Sequence, residues 1–88
     1  MLTPKIVVQF KKDRKKMEKI GKDLSKLDKV MKDLCEEKPL GQKLKDHQLC
    51  SNWVGHRECH IEPDWLLIYK YELYSIIFVR TGSHSELF

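Results

Sequence analysis

The 88-residue sequence has no apolar run near the roughly 20 residues that cross a bilayer. Ile6-Val7-Val8 is too short for the apolar core of a signal peptide, and the basic run follows it. No membrane association is expected, and the cytoplasm is the expected compartment. Cysteine is scarce and odd in number: Cys35, Cys50 and Cys59, with no C-x-x-C pair. A secreted domain this small would normally carry an even disulfide framework. Cys35 lies in a helical apolar pattern and Cys59 in strand alternation, so both read as small core residues. The spacing of Cys50, His56, Cys59 and His60 fits no usual zinc pattern, and strand residues 59 and 60 face opposite ways. No metal is expected. Four glycines form no phosphate-cradling loop, and no serine sits in a recognisable His/Asp partner pattern. A chain this short buries only about two-thirds of its extended surface, which leaves no room for a core plus a dinucleotide or haem cavity. One domain over residues 1–88, without cofactor, is expected.

What is present is charge, unevenly placed. Residues 1–48 hold 14 Lys and Arg against 8 Asp and Glu, whereas residues 49–88 hold 3 against 5. All four histidines lie between positions 47 and 84. A basic layer beside a histidine cluster suits a polyanion that is bound and acted upon. The plainer reading is a set of solvated lysine-rich helices.

Periodicity supplies the elements. Ile6-Val7-Val8 after Pro4 suits a short edge strand. Apolar residues at Phe10, Met17, Ile20, Leu24, Leu27, Val30, Met31 and Leu34 have helical spacing. Gly21 interrupts them as a C-terminal cap would, and Asp23 or Ser25 can cap the next start. The spacing predicts helices over about 9–20 and 24–37, forming a hairpin. Strands are then predicted over Trp53–Ile61, Trp65–Tyr69 and Leu73–Arg80. The run Trp65-Leu66-Leu67-Ile68-Tyr69 has the look of a central strand buried on both faces. The order β-α-α-β-β-β makes an α+β two-layer sandwich, a helix hairpin on an antiparallel sheet. Leu87 and Phe88 are expected to fold the tail back onto that sheet.

His47, His60, Asp64, Arg80 and His84 fall at strand ends and connections, so a meander can gather them at one end of the sheet. The motifs Lys45-Asp46-His47, then Arg57-Glu58-Cys59-His60-Ile61 with Pro63-Asp64-Trp65-Leu66-Leu67-Ile68-Tyr69, then Arg80-Thr81-Gly82 with His84, Leu87 and Phe88, resemble the YafQ-type toxins. These belong to the RelE/ParE superfamily of bacterial type II toxin–antitoxin systems. The likeness is dense over residues 45–88 and one of layout in the helical half. Cys50-Ser51, where the family usually has a glycine before the tryptophan, and the turn at Glu72-Leu73 depart from the pattern. Both affect loop shape more than chemistry.

The resemblance implies a RelE-like fold and an endoribonuclease that cuts mRNA, commonly on the ribosome, silenced by a cognate antitoxin. Operator DNA would be met only through the antitoxin complex. It implies His47, His60, Asp64, Arg80 and His84 as catalytic positions, and Trp65 and Phe88 as substrate contacts. The chemistry suits these groups. RNA brings its own nucleophile, the 2′-OH, and imidazole with an unperturbed pKa of about 6.5 can accept or deliver a proton near neutrality. Arginine can fork onto the phosphate. No metal is required.

Each residue also has a structural reading. His47 can be a loop residue, His60 a satisfied strand histidine, and Asp64 a turn residue after Pro63. Trp65 reads as core with one edge toward the site. Arg80 could pair with Glu58 or Glu62 on the surface. Arg57 alternates away from His60 and reads as structural, while His56 reads as exposed. Two alternative functions share the fold: a ParE-like inhibitor of DNA gyrase without ribonuclease activity, and an operon corepressor acting through the antitoxin. The histidines and Arg80 speak against the gyrase inhibitor, which would not need them.

Overall fold

The computed structural model describes residues 1–88. Strand β1 (Thr3–Ile6) leads into helices α1 (Val8–Lys19) and α2 (Leu24–Cys35). A loop with a short 3-10 turn leads to β2 (His47–Gln48), and a second such turn (Ser51–Trp53) to β3 (Arg57–Glu62). Strands β4 (Trp65–Glu72) and β5 (Ser75–Gly82) follow, then the four-residue helix α3 (His84–Leu87). The hairpin of α1 and α2 turns where expected. Gly21 adopts φ +89°, a conformation that costs other residues a Cβ clash. The Asp23 carboxylate accepts the Ser25 N–H at 3.0 Å as the cap of α2.

The sheet order is β1-β5-β4-β3-β2. β4 is central, and Trp65 to Tyr69 are all fully buried, as their unbroken apolar run requires. One face carries the helices. There Phe10, Met17, Leu27, Val30 and Leu34 pack on Cys59, Trp65, Leu67, Tyr69, Ile76 and Phe78. The other face is open except where Leu66 and Ile68 are covered by Leu87, with Trp53, Leu49 and Val79 beside them.

Four features differ from the periodic reading. The sheet is mixed, because β1 runs parallel to β5, pairing Thr3 with Ser75 and Ile6 with Phe78. Hairpin-linked strands must be antiparallel, but β1 and β5 are joined by no hairpin, so β1 can add to the edge in parallel. Val7 and Val8, expected in that strand, instead cap and open α1. Trp53 lies in a 3-10 turn, so β3 begins only at Arg57. Ile20, expected in the core, is 60% exposed beyond the end of α1.

Candidate active site

Two register slips shape the open face. In β3 and β4, His60 pairs with Leu66 and Glu62 with Trp65, so Ile61 is an extra residue. Glu62 is thereby turned to the helix side, where Lys22 and Lys26 hold its carboxylate at 2.8 and 2.9 Å. In β4 and β5, Tyr69 pairs with Phe78 and Ile68 with Arg80, so Val79 is extra. Strict alternation would put Arg80 with Phe78 against the helices. The bulge re-aims it to the face of Ile68.

On that face β2, β3 and α3 bring three imidazoles together. The ring centroids of His60 and His84 are 5.6 Å apart, and those of His47 and His60 are 6.3 Å apart. His84 Nδ1 lies 2.8 Å from Asp64 Oδ1, which also accepts the His84 backbone N–H at 2.9 Å. These two bonds hold the Asp64 carboxyl below its usual range, the backbone one contributing most. A ring whose Nδ1–H is committed to a carboxylate presents Nε2 to the solvent side. His47 Nδ1 is tied to the Lys45 carbonyl at 2.6 Å. His60 has an acceptor near each nitrogen: the Pro63 carbonyl at 3.3 Å from Nδ1 and Glu58 Oε1 at 3.3 Å from Nε2.

α3 is held by its own cap. Ser83 and Glu86 form a capping box, and Lys16 of α1 pairs with Glu86. The Lys16 ammonium, with the Ser83 N–H and hydroxyl, lowers the Glu86 carboxyl to about 2. Leu87 anchors the tail on Leu66 and Ile68 as expected, but Phe88 stays 58% exposed. Its ring lies 6.4 Å from His84 and 6.2 Å from Trp53. Phe88 thus presents an open ring beside the imidazoles, with Trp53 behind it. His56, expected to be exposed, is half-buried, with its ring edge-on to Trp53 at 5.2 Å.

The structure therefore gathers His47, His60, Asp64, His84 and Phe88, and corrects two expectations. Trp65 is fully buried on the helix face, where its Nε1–H donates to Thr81 Oγ1 at 2.9 Å, so it is a core residue with no edge open to the imidazoles. Strand alternation with Leu67 and Tyr69 puts it there. Arg80 pairs with neither Glu58 nor Glu62. Its Nε and Nη2 donate to Asp13 of α1 at 2.6 and 3.2 Å. That pairing occupies the Nε/Nη2 edge of the guanidinium and leaves Nη1 without a hydrogen bond to Asp13. It also holds the Arg80 pKa above its ordinary value.

Periodic reading passed over two residues. Asp13 is buried between Phe10 and Met17 on α1, an acid within the apolar stripe, which was its signal. Glu58 is also buried, two residues from His60 and so on the same face, with its carboxylate 3.7 Å from His47 Nε2. Glu58, His60 and His84 offer ligand atoms within 4.8 Å of one another, a carboxylate and two imidazoles suited to a borderline transition metal. The cysteines take no part: Cys59 faces the helices, and burial pushes its thiol up to about 12.

With the geometry in hand, comparison with known proteins is informative. The family model for YafQ, the bacterial toxin of type II toxin–antitoxin systems, matches residues 2–88. The chain is 47% identical over 81 residues to the mRNA interferase toxin YafQ of Escherichia coli strain B / BL21-DE3, spanning 91% of this chain and 88% of that protein. It superposes on a crystal structure of the E. coli DinJ–YafQ complex with TM-score 0.92 and 43% identity, covering 100% of this chain and 99% of that one. A copper-bound mutant toxin from Helicobacter pylori matches with TM-score 0.95 and 41% identity over 100% of both chains. Shared over essentially its whole length, these likenesses place the chain in the YafQ family of toxins of bacterial type II toxin–antitoxin systems.

Proposed function

We propose that this chain is a metal-independent endoribonuclease that cuts mRNA and is silenced by a cognate antitoxin. The observation that supports it most is the open face itself, where His47, His60 and His84 converge beside Asp64. RNA supplies the 2′-OH. One imidazole nitrogen takes its proton as O2′ bonds to phosphorus. A second imidazole gives a proton to the 5′-oxygen as the P–O5′ bond breaks. Arg80 forks onto the non-bridging oxygens as their charge grows. The products carry a 2′,3′-cyclic phosphate and a 5′-OH. Asp64 orients His84 through Nδ1 and leaves its other nitrogen for the proton.

A cation held by Glu58, His60 and His84 would use the same imidazole lone pairs that the proton transfers need. Metal occupancy on this reading blocks the reaction. The fit of an antitoxin is supported by the DinJ–YafQ complex of the E. coli relative and by the surplus of lysine on α1 and α2.

The test is digestion of a defined RNA, free and on ribosomes, with mapping of the new ends. Cyclic phosphate and 5′-OH ends, formed from free RNA in excess EDTA, are expected. Cleavage of free RNA that EDTA abolishes and zinc or magnesium restores would refute the metal-free mechanism. Absence of any cleavage in both settings would refute the ribonuclease.

A further inference from the structure

Beside His60, past the end of β2, the 3-10 turn at Gln42–Leu44 and the β3–β4 connection flank an open cavity of about 600 Å³. That lies within the range of about 300–1,000 Å³ occupied by small-ligand sites. Its walls combine two chemistries. Leu44, Ile61 and Pro63 provide apolar surface, and Lys43 and Lys45 provide exposed ammonium groups.

The acidic groups nearby are already compensated. Glu62 is held by Lys22 and Lys26. Asp46 accepts from Arg57 at 3.2 Å and from the Tyr69 hydroxyl at 2.5 Å. Glu58 faces His47 and His60. Lys43 and Lys45, by contrast, pair with no carboxylate, so the cavity's uncompensated charge is positive. Lys45 also adopts φ +48°, and its carbonyl is the one that holds His47 Nδ1. The same turn thus links the cavity to one imidazole while another, His60, lines it.

We infer that this cavity is a subsite for the RNA nucleotide next to the scissile phosphate. Its base rests on Leu44, Ile61 and Pro63, and its flanking phosphates meet Lys43 and Lys45. This rests on the ribonuclease reading for its substrate class. His60 belongs both to the imidazole cluster and to the cavity lining, so a strand held at the imidazoles has its neighbouring residue at the cavity mouth. The cavity would then add affinity for a longer substrate, while the proton chemistry stays with the imidazoles.

The experiment measures binding of a short RNA bearing 2′-deoxy at the cleavage position, so that affinity is read without cleavage. Fluorescence anisotropy compares the wild type with a Lys43→Glu/Lys45→Glu variant and with a Lys12→Glu/Lys19→Glu control of equal net charge on α1. Circular dichroism confirms that both are folded. The cavity variant is expected to bind about tenfold more weakly and to lose ~1.4 from its log-log salt slope, as two phosphate contacts on a single strand predict. The control is expected to change less than about twofold, since α1 contributes no residue to the cavity and salt weakens charges that make no direct contact. Equal weakening of both variants would assign binding to overall charge and overturn the subsite, as would no binding by the wild type. Displacement of the RNA by polyglutamate more readily than by polyuridylate would also overturn it, marking the lysines as a seat for an acidic peptide. A cleavable version of the same RNA, run in parallel, separates the two ideas: if it survives intact free and on ribosomes while the binding difference holds, the ribonuclease reading fails and the cavity stands only as an RNA-binding site, with no scissile phosphate beside it.

Discussion

Replacing Asp13 by alanine should destabilise this protein far more than truncating an exposed charge on its helices. Its carboxylate accepts from Arg80 Nε and Nη2, from the Thr81 N–H at 3.2 Å and from Gln9 Nε2 at 3.1 Å. Truncation leaves the buried Thr81 N–H without a partner, which costs about 1–3 kcal/mol. The side chain of Arg80 is 27% exposed, so water recovers part of its loss and its share is set near 1 kcal/mol. The sum is about 2–4 kcal/mol, out of a stability of 5–15 kcal/mol typical of such domains. For a domain of this size each kcal/mol moves Tm by about 4–8 °C, so Asp13→Ala should melt at least about 8 °C lower. Asp13→Asn keeps an oxygen for Thr81 and should lose about half as much. Both melts are followed by circular dichroism without antitoxin. RNA cleavage is then measured at a temperature where both variants are folded. Asp13→Asn should cut more slowly there, because Arg80 is no longer held on one edge. A Tm for Asp13→Ala within about 3 °C of the parent would refute the reasoning, since it corresponds to less than one hydrogen bond.

His84→Ala and Arg80→Ala should each abolish growth arrest, and His84→Ala should do so with its far-ultraviolet circular dichroism unchanged, because truncating an exposed tip leaves no cavity. Loss of fold in His84→Ala would mark a structural residue. Excess copper should inhibit cleavage and chelation should restore it; stimulation by copper would count against imidazole proton transfer. Acid should loosen α3: Glu86 is depressed from 4.5 to about 2, so its contribution is complete above 4.5 and is lost as pH falls toward about 2. Fluorescence of Trp53, which lies against Phe88, should report this, and Glu86→Gln should flatten the change; an unaltered profile in Glu86→Gln would show that Glu86 does not dock the helix. Association with the antitoxin should slow as salt rises, because screening at 0.1 M acts over about 10 Å. A stopped-flow on-rate flat in salt would leave RNA as the reason for the lysines on α1.

The site was legible as residue types and less so as contacts. The strand motifs around His47, His60, Asp64 and His84 pointed to one end of the sheet, and the rings do meet there. Glu58 was visible only as the neighbour of His60 two residues away. Arg80 was assigned the wrong partner because nothing local to β5 signals an acid 67 residues earlier in the chain.

What the chain determined by itself is what period and composition encode. The apolar stripe from Phe10 to Leu34 defines a helix hairpin, since side chains three and four residues apart share a face. The unbroken run from Trp65 to Tyr69 defines a central strand, because only a strand covered on both sides buries every successive residue. Tertiary structure alone decided how the strands meet. It placed β1 parallel on the far edge, and it inserted Ile61 and Val79 as extra residues in their ladders. A one-residue slip exchanges the two faces of everything beyond it. Register is a property of two strands together, so periodicity within either one cannot specify it. That is why the helix-side burial of Trp65 and the pairing of Arg80 with Asp13 emerge only when the whole sheet is assembled over its helices.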